Sequence, residues 1–428
     1  MDAWDRSRVE QFRQLKKEIR GSEDHLIVGI DVSKDRHHAF LGTATGKPLL
    51  KRLVFENSAE GVEKLLNQVE RLRSEGGFRE VVFGLEPTGN YHKPLAEFLI
   101  RKFAQVVLVS GVAAKENRKT LDGRWDSNDG KDAANIADLL SQGKFLFYEY
   151  PDPRLRELRS FLTLKRRLKR QEHGYRVRIR NSLVAKYFPE LDGYFDQSEK
   201  YALAIVRWCL DPRSLSAYRF DEFVQMVASG KRGGQQHNRL RRVLEMARGS
   251  IGCEMGPAVK FEAELMVEGL RQIRQMIDDV ESQIGRLCQE FPEYDYLLSI
   301  PGFGPDVSSK VLGAVGDPFR FQNEKQVLKL AGWDLNAERS GKSSDSVRPV
   351  ISKKGKADLR YALYQAAMIA SIKDPHFIVY YTNQLRGRER EPGIKTKRRV
   401  KLAAKLLVIA WTLMKKKEPF NPDYLKSE

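Results

Sequence analysis

Four acidic residues in the first third of the chain have the types and spacing of a phosphoryl-transfer site. Asp31 ends the apolar run LIVGID, and Glu86 ends a second one, EVVFGLE. Asp129 and Asp132 lie three residues apart in SNDGKDAANIADLL, so they share one face at the start of a predicted helix. Four neighbouring carboxylates repel one another unless cations neutralise them, and Mg²⁺ prefers oxygen ligands. The set therefore predicts a site for Mg²⁺ or Mn²⁺ of the kind that acts on phosphodiesters.

Each acid taken alone has a simpler interpretation. An isolated Asp after a strand is often a turn residue, and one at the start of a helix is often a cap. Asp122 and Asp126 are alternatives for the third acid, although neither combines a helix start with a second Asp three residues on. Only the set as a whole favours metal binding over these structural roles.

The elements that would position the acids form an alternating α/β region over residues 26–145. Apolar runs predict strands over 26–32, 37–43, 51–57, 80–86 and 104–110, and helices near 59–74, 91–103 and 130–142. Three consecutive strands followed by alternating helices and strands is the element order of the RNase H-like fold. Parallel central strands would place Asp31 beside Glu86, and the helix beginning near residue 130 would lay Asp129 and Asp132 against them.

The charge of the chain indicates a polyanionic partner. Its 428 residues contain 75 Lys and Arg against 57 Asp and Glu, a net charge of +18. Residues 154–180 contain eleven Arg or Lys against two Glu, and residues 386–401 form a second basic cluster. Such an imbalance is typical of nucleic-acid contact, although a charge run can also be a solvated helix face. In the first cluster the predicted nucleic-acid-binding residues are Arg166, Arg167, Lys169, Arg170, Arg176 and Arg178.

The second half of the chain is predicted to be mainly helical. Two long helices, about 154–188 and 258–289, have apolar faces that suit an antiparallel or intermolecular coiled coil or ordinary bundle packing. The turn IPGFGP predicts a helix-hairpin-helix-like element in which Gly302 and Gly304 offer backbone N–H groups to a phosphate, or else a plain tight turn. A loop rich in Ser, Gly and Lys then leads to Lys353 and Lys354, which are further candidates for nucleic-acid contact.

Several protein classes are excluded by composition. The longest apolar run, residues 406–414, is too short to span a bilayer, and the N-terminus lacks the apolar core of a signal peptide. Three widely spaced cysteines indicate neither a disulfide framework nor a zinc site. We therefore expect a soluble intracellular protein with no membrane contact.

Six motifs in order give the chain a family resemblance. GIDVSK, LEPTGNYH, NDGKDA, IPGFGP, RSG and ISKKGKADLR resemble the motifs of the insertion-sequence one-ten family, which includes Piv-type DNA invertases and bridge-RNA-guided recombinases. The resemblance begins near residue 25 and covers nearly the whole remaining chain. A charged arm over 1–25, predicted to be helical, precedes it and is longer than the family pattern. The resemblance implies an RNase H-like, RuvC-type DEDD domain over 26–150, a coiled-coil or helical domain over 151–292, and a mainly α serine transposase domain over 293–428.

The resemblance also implies roles for individual residues. The DEDD acids would be Asp31, Glu86, Asp129 and Asp132. The nucleophile would be Ser340, the serine of RSG, although Ser343, Ser344 and Ser346 lie close enough in sequence to compete for this assignment.

The implied function is that of a DNA transposase or site-specific recombinase. Its serine would form a phosphoserine link to DNA with Mg²⁺ or Mn²⁺ at the acids, and no P-loop or ATP would be needed. The implied partners are donor and target DNA, a structured guide RNA, and further copies of the chain, as a dimer assembling to a tetramer. The implied location is the bacterial cytoplasm, with activity at the nucleoid.

Two other functions fit the same residues. One is a RuvC-like two-metal DNA endonuclease that hydrolyses DNA without a covalent intermediate. The other is a non-enzymatic basic coiled-coil scaffold whose acids are structural. Covalent trapping of DNA separates the recombinase from both.

Overall fold

The chain forms two compact units, Met1–Asp152 and Pro153–Glu428. The computed structural model describes residues 3–121, 129–193, 211–227, 234–336 and 350–425, with the backbone alone at 3–5, 120, 121, 129, 336 and 424. The first unit combines a β-sheet with helices and the second is mostly helical, which confirms the predicted mixed α/β N-terminal region and mainly α C-terminal region. The finer division of the second unit near residue 292 stays a prediction.

The first unit is built on one six-stranded sheet of order β3-β2-β1-β4-β5-β6. Its strands are β1 (His25–Asp31), β2 (Arg36–Thr43), β3 (Pro48–Glu56), β4 (Glu80–Leu85), β5 (Gln105–Leu108) and β6 (Leu146–Phe147). Its helices are α1 (Ala3–Glu18), α2 (Ala59–Gly76), α3 (His92–Arg101), α4 (Gly111–Leu121) and α5 (Asp129–Ser141). The strands β1, β4 and β5 run parallel, while β2, β3 and β6 pair antiparallel with their neighbours.

Helix boundaries in this unit follow local signals. Ser58 caps α2 by accepting a hydrogen bond from the Gly61 amide, and Gly77 ends the helix in the left-handed conformation at φ 67°. Apolar side chains of α2 and α3 cover one face of the sheet, and those of α4 and α5 cover the other. The central strands β1 and β4 are therefore buried on both faces, as their apolar runs predict, whereas the edge strand β3 is partly exposed.

Helix α5 approaches the sheet closely because Gly29 has no side chain. A Cβ atom at Gly29 would lie 2.6 Å from the Ala137 amide nitrogen and closer still to the Ala133 carbonyl oxygen. These are backbone atoms of α5, so no flexible side chain could yield. Gly29 thus sets how near α5 lies to the acid-bearing end of β1.

Gly29→Ala is expected to lower the free energy of unfolding by about 1–3 kcal/mol, because the added methyl group must push α5 away from the sheet. Chemical denaturation followed by circular dichroism measures the change. Gly174→Ala is a matched control, since a Cβ there meets nothing within 4 Å. It replaces glycine inside a helix and should stabilise slightly. Equal stability of wild type and Gly29→Ala would contradict the close approach.

The described residues of the second unit form mainly helices. In chain order they are α6 (Pro153–Arg178), α7 (Ala185–Tyr187), α8 (Pro212–Ser216), α9 (Phe220–Val227), α10 (Gly234–Arg248), α11 (Pro257–Cys288), α12 (Pro292–Leu298), α13 (Pro305–Val315), α14 (Glu324–Leu330), α15 (Ala357–Lys373), α16 (Pro375–Leu385) and α17 (Ile394–Lys416). A π-helical turn, Ile179–Val184, joins α6 to α7. Two short strands, β7 (Leu335–Asn336) and β8 (Val350–Ile351), pair antiparallel.

The two long helices α6 and α11 pair with each other inside one chain. Glu172 of α6 accepts a hydrogen bond from Arg274 of α11 at 3.0 Å, and Lys165, earlier on α6, contacts Glu281, later on α11, at 2.9 Å. The pair is therefore antiparallel. Coiled-coil geometry and any intermolecular pairing stay predictions.

None of the helices within the described ranges combines the length and apolar character needed to cross a membrane. Of the three cysteines, Cys253 is exposed and Cys288 is buried, and both are free thiols. Cys209 lies outside the described residues.

Candidate active site

Two of the predicted acids lie at the carboxyl ends of neighbouring parallel strands. Ile30 of β1 is the register partner of Leu85 of β4, so Asp31 and Glu86 directly follow paired positions. Both side chains are half-buried. Ligands in α/β sheets bind outside the carboxyl ends of the strands, which is the place these two acids occupy.

Helix α4 faces the same position from the side. A Cβ atom at Gly111, its first residue, would lie 2.9 Å from Oε1 of Glu86. Arg118 lies seven residues later, two turns along the same face of the helix. Its Nη2 is 2.7 Å from Oδ1 of Asp132 on α5. Strand β4 and helices α4 and α5 thus bring Glu86, Arg118 and Asp132 together.

Three hydrogen bonds hold α4 against α5, two of them between side chains and one from a side chain to the backbone. Nδ2 of Asn117 donates to Oδ1 of Asn135 at 2.9 Å and to Oδ2 of Asp138 at 2.7 Å. Asn135 is buried and donates through its own Nδ2 to the Ala114 carbonyl oxygen at 2.8 Å. Because these bonds lie next to Arg118 and Asp132 in sequence, they fix the two charged side chains relative to each other.

The electrostatics of this group reflect its composition. Burial raises the pKa of the Glu86 carboxyl; the positive charge of Arg118 opposes the rise, and the negative charge of Asp132 adds to it. The Asp132 side chain is 11% exposed, so its charge interacts with these neighbours through little water. The site consists of partly desolvated carboxylates with one guanidinium set against them.

These residues fit a divalent cation in their chemistry. Carboxylate oxygens are the ligands that Mg²⁺ and Mn²⁺ prefer, and the guanidinium of Arg118 shows that positive charge is stabilised beside Glu86 and Asp132. Among the described residues, no group of three or more His, Cys, Asp or Glu side chains is arranged to hold a metal ion. The fourth predicted acid, Asp129, begins α5, and its side chain lies outside the description, as do Asp122 and Asp126.

The predicted nucleophile Ser340 lies outside the described residues, as do Ser343, Ser344 and Ser346. The described residues on either side of this segment contact each other. Asn336 of β7 pairs with Val350 of β8, so the chain leaves and re-enters the described part at adjacent positions. The Ser352 hydroxyl donates to Oδ1 of Asp334 at 2.5 Å, which ties the two strands together.

Lys353 and Lys354, two predicted nucleic-acid contacts, lie on an exposed turn after β8. Lys353 has φ 55°, a left-handed conformation that is uncommon for a residue with a side chain. Nη1 of Arg360 donates to the carbonyl oxygens of Ala331 at 2.9 Å and Lys353 at 3.3 Å. The turn is therefore held in place, with both lysine side chains directed to solvent.

The basic cluster of α6 divides into inward and outward residues. Lys165 is 12% exposed and contacts Glu281 at 2.9 Å and Asp306 at 2.6 Å, so it joins α6 to α11 and α13. The predicted nucleic-acid contacts of this cluster are all exposed: Arg166, Arg167, Lys169, Arg170, Arg176 and Arg178. Among them, Arg166 contacts Asp358 at 3.0 Å and Lys169 contacts Glu172 at 3.2 Å. Exposed ion pairs of this kind are weak and leave the side chains available to a polyanion.

The glycines of the IPGFGP turn have different surroundings. Gly302 has φ 87°, and a Cβ there would lie 2.5 Å from the Ala366 carbonyl oxygen of α15, so this position requires glycine for conformation and packing. Gly304 precedes α13, and a Cβ there would meet nothing within 4 Å. Helices α12 and α13 form a helical hairpin around this turn. Phosphate contact by either glycine stays a prediction.

Two residues at the acid site, Arg118 and His38, were not predicted from the sequence. Arg118 lies on α4, a helix that the apolar pattern did not predict. His38 is buried on β2 and is the antiparallel register partner of Asp31. The dipeptide His37-His38 in a predicted strand was the only sequence signal for the second of these.

Two transposase family models and several insertion-element proteins match the chain. The DEDD transposase model of IS110 matches residues 28–189, which contain all four predicted acids, and the model of the transposase IS116/IS110/IS902 family matches residues 294–382. The chain is 24% identical to the insertion element IS116 uncharacterized 44.8 kDa protein of Streptomyces clavuligerus over 93% of the chain and 97% of that protein.

Two further relatives match shorter parts of the chain. It is 26% identical to the mini-circle putative transposase for IS117 of Streptomyces coelicolor over 75% of the chain and 79% of that protein. It is 29% identical to the pilin gene-inverting protein of Moraxella lacunata over 160 residues, which are 36% of the chain and 48% of that protein. The chain thus spans about half the length of this Moraxella relative.

Proposed function

Because the chain belongs to the IS110 family of transposases, we propose that it cuts DNA strands and rejoins them to new partners through a phosphoserine intermediate. In this proposal Ser340 supplies the nucleophilic oxygen. The acids that hold a divalent cation are Asp31, Glu86, Asp129 and Asp132. The pilin gene-inverting relative supports DNA strands as the substrate.

One observation carries this proposal: Glu86 and Asp132 are brought together with Arg118 at the carboxyl end of β4, beside Asp31 at the end of β1. A purely structural set of acids has no need to gather at the strand ends, where the repulsion between carboxylates is costly. The sheet order and the acids' positions on it support a RuvC-type, RNase H-like fold for the first unit. The name of the matching family model, which refers to DEDD residues, supports dependence on a divalent metal.

The proposed reaction transfers a phosphoryl group twice. The Ser340 oxygen forms a bond to phosphorus, the bond between phosphorus and one strand oxygen breaks, and that oxygen leaves with a proton. In the second step a strand oxygen attacks the phosphoserine and releases the serine. A divalent cation at the acids would stabilise negative charge on the phosphate and lower the pKa of the attacking hydroxyl. Since each step exchanges one phosphoester for another, no ATP is required.

The test of this proposal is whether the protein, Mg²⁺ and DNA carrying its recombination sites form a protein–DNA adduct that survives denaturation. Such an adduct supports the recombinase. Cleavage with no adduct under any condition would favour the RuvC-like endonuclease, and binding without cleavage would favour the basic scaffold.

We further propose a structured guide RNA as a partner, in addition to DNA, and an assembly of several copies of the chain. The exposed arginines of α6 offer a surface for nucleic-acid phosphates. Exchange between two duplexes requires several cuts held in one assembly, which favours a symmetric dimer or tetramer. Purification of a fully active protein free of RNA would contradict the guide.

Arg167→Gln combined with Arg170→Gln is expected to weaken nucleic-acid binding and to reduce the slope of log affinity against log salt concentration by about two, one for each lost phosphate contact. Fluorescence anisotropy over a range of salt concentrations measures both. The matched control is Arg71→Gln with Arg101→Gln, which removes the same charge from exposed helical positions of the first unit. An identical decrease in slope for both double variants would assign the effect to net charge rather than to α6.

A further inference from the structure

Arg118 occupies a position that a simple surface arginine does not. Its Nη2 lies 2.7 Å from Oδ1 of Asp132, with 32% of the Arg118 side chain and 11% of the Asp132 side chain exposed. Its charge also acts on Glu86. Arg118 therefore supplies the positive charge beside two acids that are proposed to bind a divalent cation.

The contacts around α4 hold this arrangement in place. Gly111, on the same face as Arg118, lies directly against the Glu86 carboxylate, so a larger residue there would require the Glu86 side chain to move. One residue before Arg118, Asn117 is hydrogen-bonded to Asn135 and Asp138 of α5. Helix α4, which carries Arg118, is thus held against α5, which carries Asp132.

A guanidinium and a divalent cation compete for the same oxygen atoms. The Arg118 guanidinium lies 2.7 Å from Oδ1 of Asp132 and so occupies the space from which a metal would bind that oxygen. Two positive groups on one carboxylate also repel each other. The Arg118–Asp132 pair consequently has to open when a metal takes the Asp132 oxygen that Arg118 contacts.

We propose that Arg118 is an exchangeable internal counter-ion of the acid site: it neutralises Glu86 and Asp132 before metal arrives and is displaced from Asp132 when a divalent cation binds. This inference rests on the proposed function of the acids. Arg118 is a positioning residue in this account. It keeps the acids close together without metal, and its displacement sets how much cation the site requires.

The test is Mn²⁺ binding to the full chain, measured by the loss of the electron paramagnetic resonance signal of free Mn²⁺. R118Q is expected to bind Mn²⁺ roughly tenfold more tightly than wild type at the acid site, because no guanidinium has to be displaced first. R118K keeps the charge but lacks the planar guanidinium with its several N–H groups, so its affinity for Mn²⁺ should lie between those of wild type and R118Q. R79Q is the matched control: it removes an arginine that is ion-paired with Asp24 on the surface of the same unit, and its affinity should equal that of wild type.

A second measurement does not depend on affinity. Without metal, R118Q should melt at a lower temperature than wild type, because Glu86 and Asp132 have lost their counter-ion. Mn²⁺ should then raise the melting temperature of R118Q more than that of wild type, since the cation replaces the missing charge. If R118Q does not fold, as judged by circular dichroism, R118K carries both measurements.

The outcomes separate this inference from the function on which it rests. Wild-type binding of Mn²⁺ that D132N abolishes, with R118Q and R118K both equal to wild type, would overturn the exchange and leave the metal site standing. If wild type binds no Mn²⁺, or if D132N binds it as tightly as wild type does, both the exchange and the metal site are overturned. Weaker binding by R118Q would also overturn the exchange, because it would make Arg118 a support for the metal rather than its competitor.

Discussion

Asp132→Asn is expected to reduce strand cleavage in Mg²⁺ by roughly a thousandfold or more, while nucleic-acid binding stays within about twofold of wild type. The loss is large because a bound metal stabilises the charge of the transition state by several kcal/mol, and each 1.4 kcal/mol is a factor of ten in rate. Binding should be preserved because it depends on exposed arginines and lysines, which the change does not touch. Single-turnover cleavage of labelled DNA and anisotropy titration measure the two effects.

The matched control for this variant is Glu63→Gln. Glu63 is an exposed carboxylate of the same unit, paired with Lys102 at 3.1 Å, so its replacement removes one negative charge away from the strand ends. Its cleavage rate should equal that of wild type. If Asp132→Asn and Glu86→Gln both cleave at the wild-type rate, the acids do not take part in the chemistry.

The burial of the Glu86 carboxyl predicts an effect on stability with an unusual sign. Since burial raises the pKa of Glu86, its ionised form is less favourable in the folded chain than in the unfolded one. The stability linked to the protonated form is complete below the ordinary pKa of Glu and is lost as pH rises through the raised value. Glu86→Gln should therefore melt above wild type at neutral pH without metal, and the difference should shrink as pH falls. A carboxylate whose pKa is lowered in the folded chain by ion pairs or hydrogen bonds would give the opposite result.

The strand framework of the site was predictable because its signal is local. The apolar runs that end in Asp31 and Glu86 correspond to β1 and β4 within one residue at each end. A buried parallel strand needs apolar side chains on both faces, and this requirement is written in consecutive residues. Parallel pairing of β1 with β4 then places the acids that follow them, Asp31 and Glu86, side by side.

Helix α4 and Arg118 were not predictable in the same way. The segment GVAAKENRKTL has one short apolar stretch at its start and a polar remainder, so no helical periodicity marks it. The helix is stabilised by contacts that come from far along the chain, such as Asn117 to Asn135 and Arg118 to Asp132. Tertiary hydrogen bonds of this kind have no signature in an isolated sequence.

In the basic cluster, composition could not show which residues face solvent. Its composition predicted a surface for polyanions, but composition could not distinguish Lys165, which is mostly covered and paired with Glu281 and Asp306, from Arg167, which is exposed. That distinction depends on which face of α6 meets α11 and α13. Gly29 is a similar case, because its effect comes from the approach of a helix more than 100 residues later in the chain.

Ser340→Ala is expected to eliminate the denaturation-resistant protein–DNA adduct and to stop recombination entirely, because a methyl group has no oxygen with which to attack phosphorus. The adduct is detected by denaturing gel electrophoresis of labelled DNA. Ser343→Ala and Ser344→Ala are matched controls that make the same change within four residues, and both should retain the adduct. Loss of the adduct in one of these controls, together with its persistence in Ser340→Ala, would move the nucleophile to that serine.

Strand cleavage by Ser340→Ala separates the two enzymatic mechanisms further. If the serine is the nucleophile, cleavage and joining must disappear together, since the first bond to phosphorus is never made. If the acids direct water instead, Ser340→Ala should still cut DNA at close to the wild-type rate. In that case the wild-type protein would not rejoin strands either, and its reaction products would be cleaved DNA alone. A hydrolysed phosphodiester has lost the bond energy that rejoining needs, whereas a phosphoserine keeps it. The recombinase therefore requires that wild type rejoins strands without ATP, and that this ability and the adduct depend on the same oxygen atom.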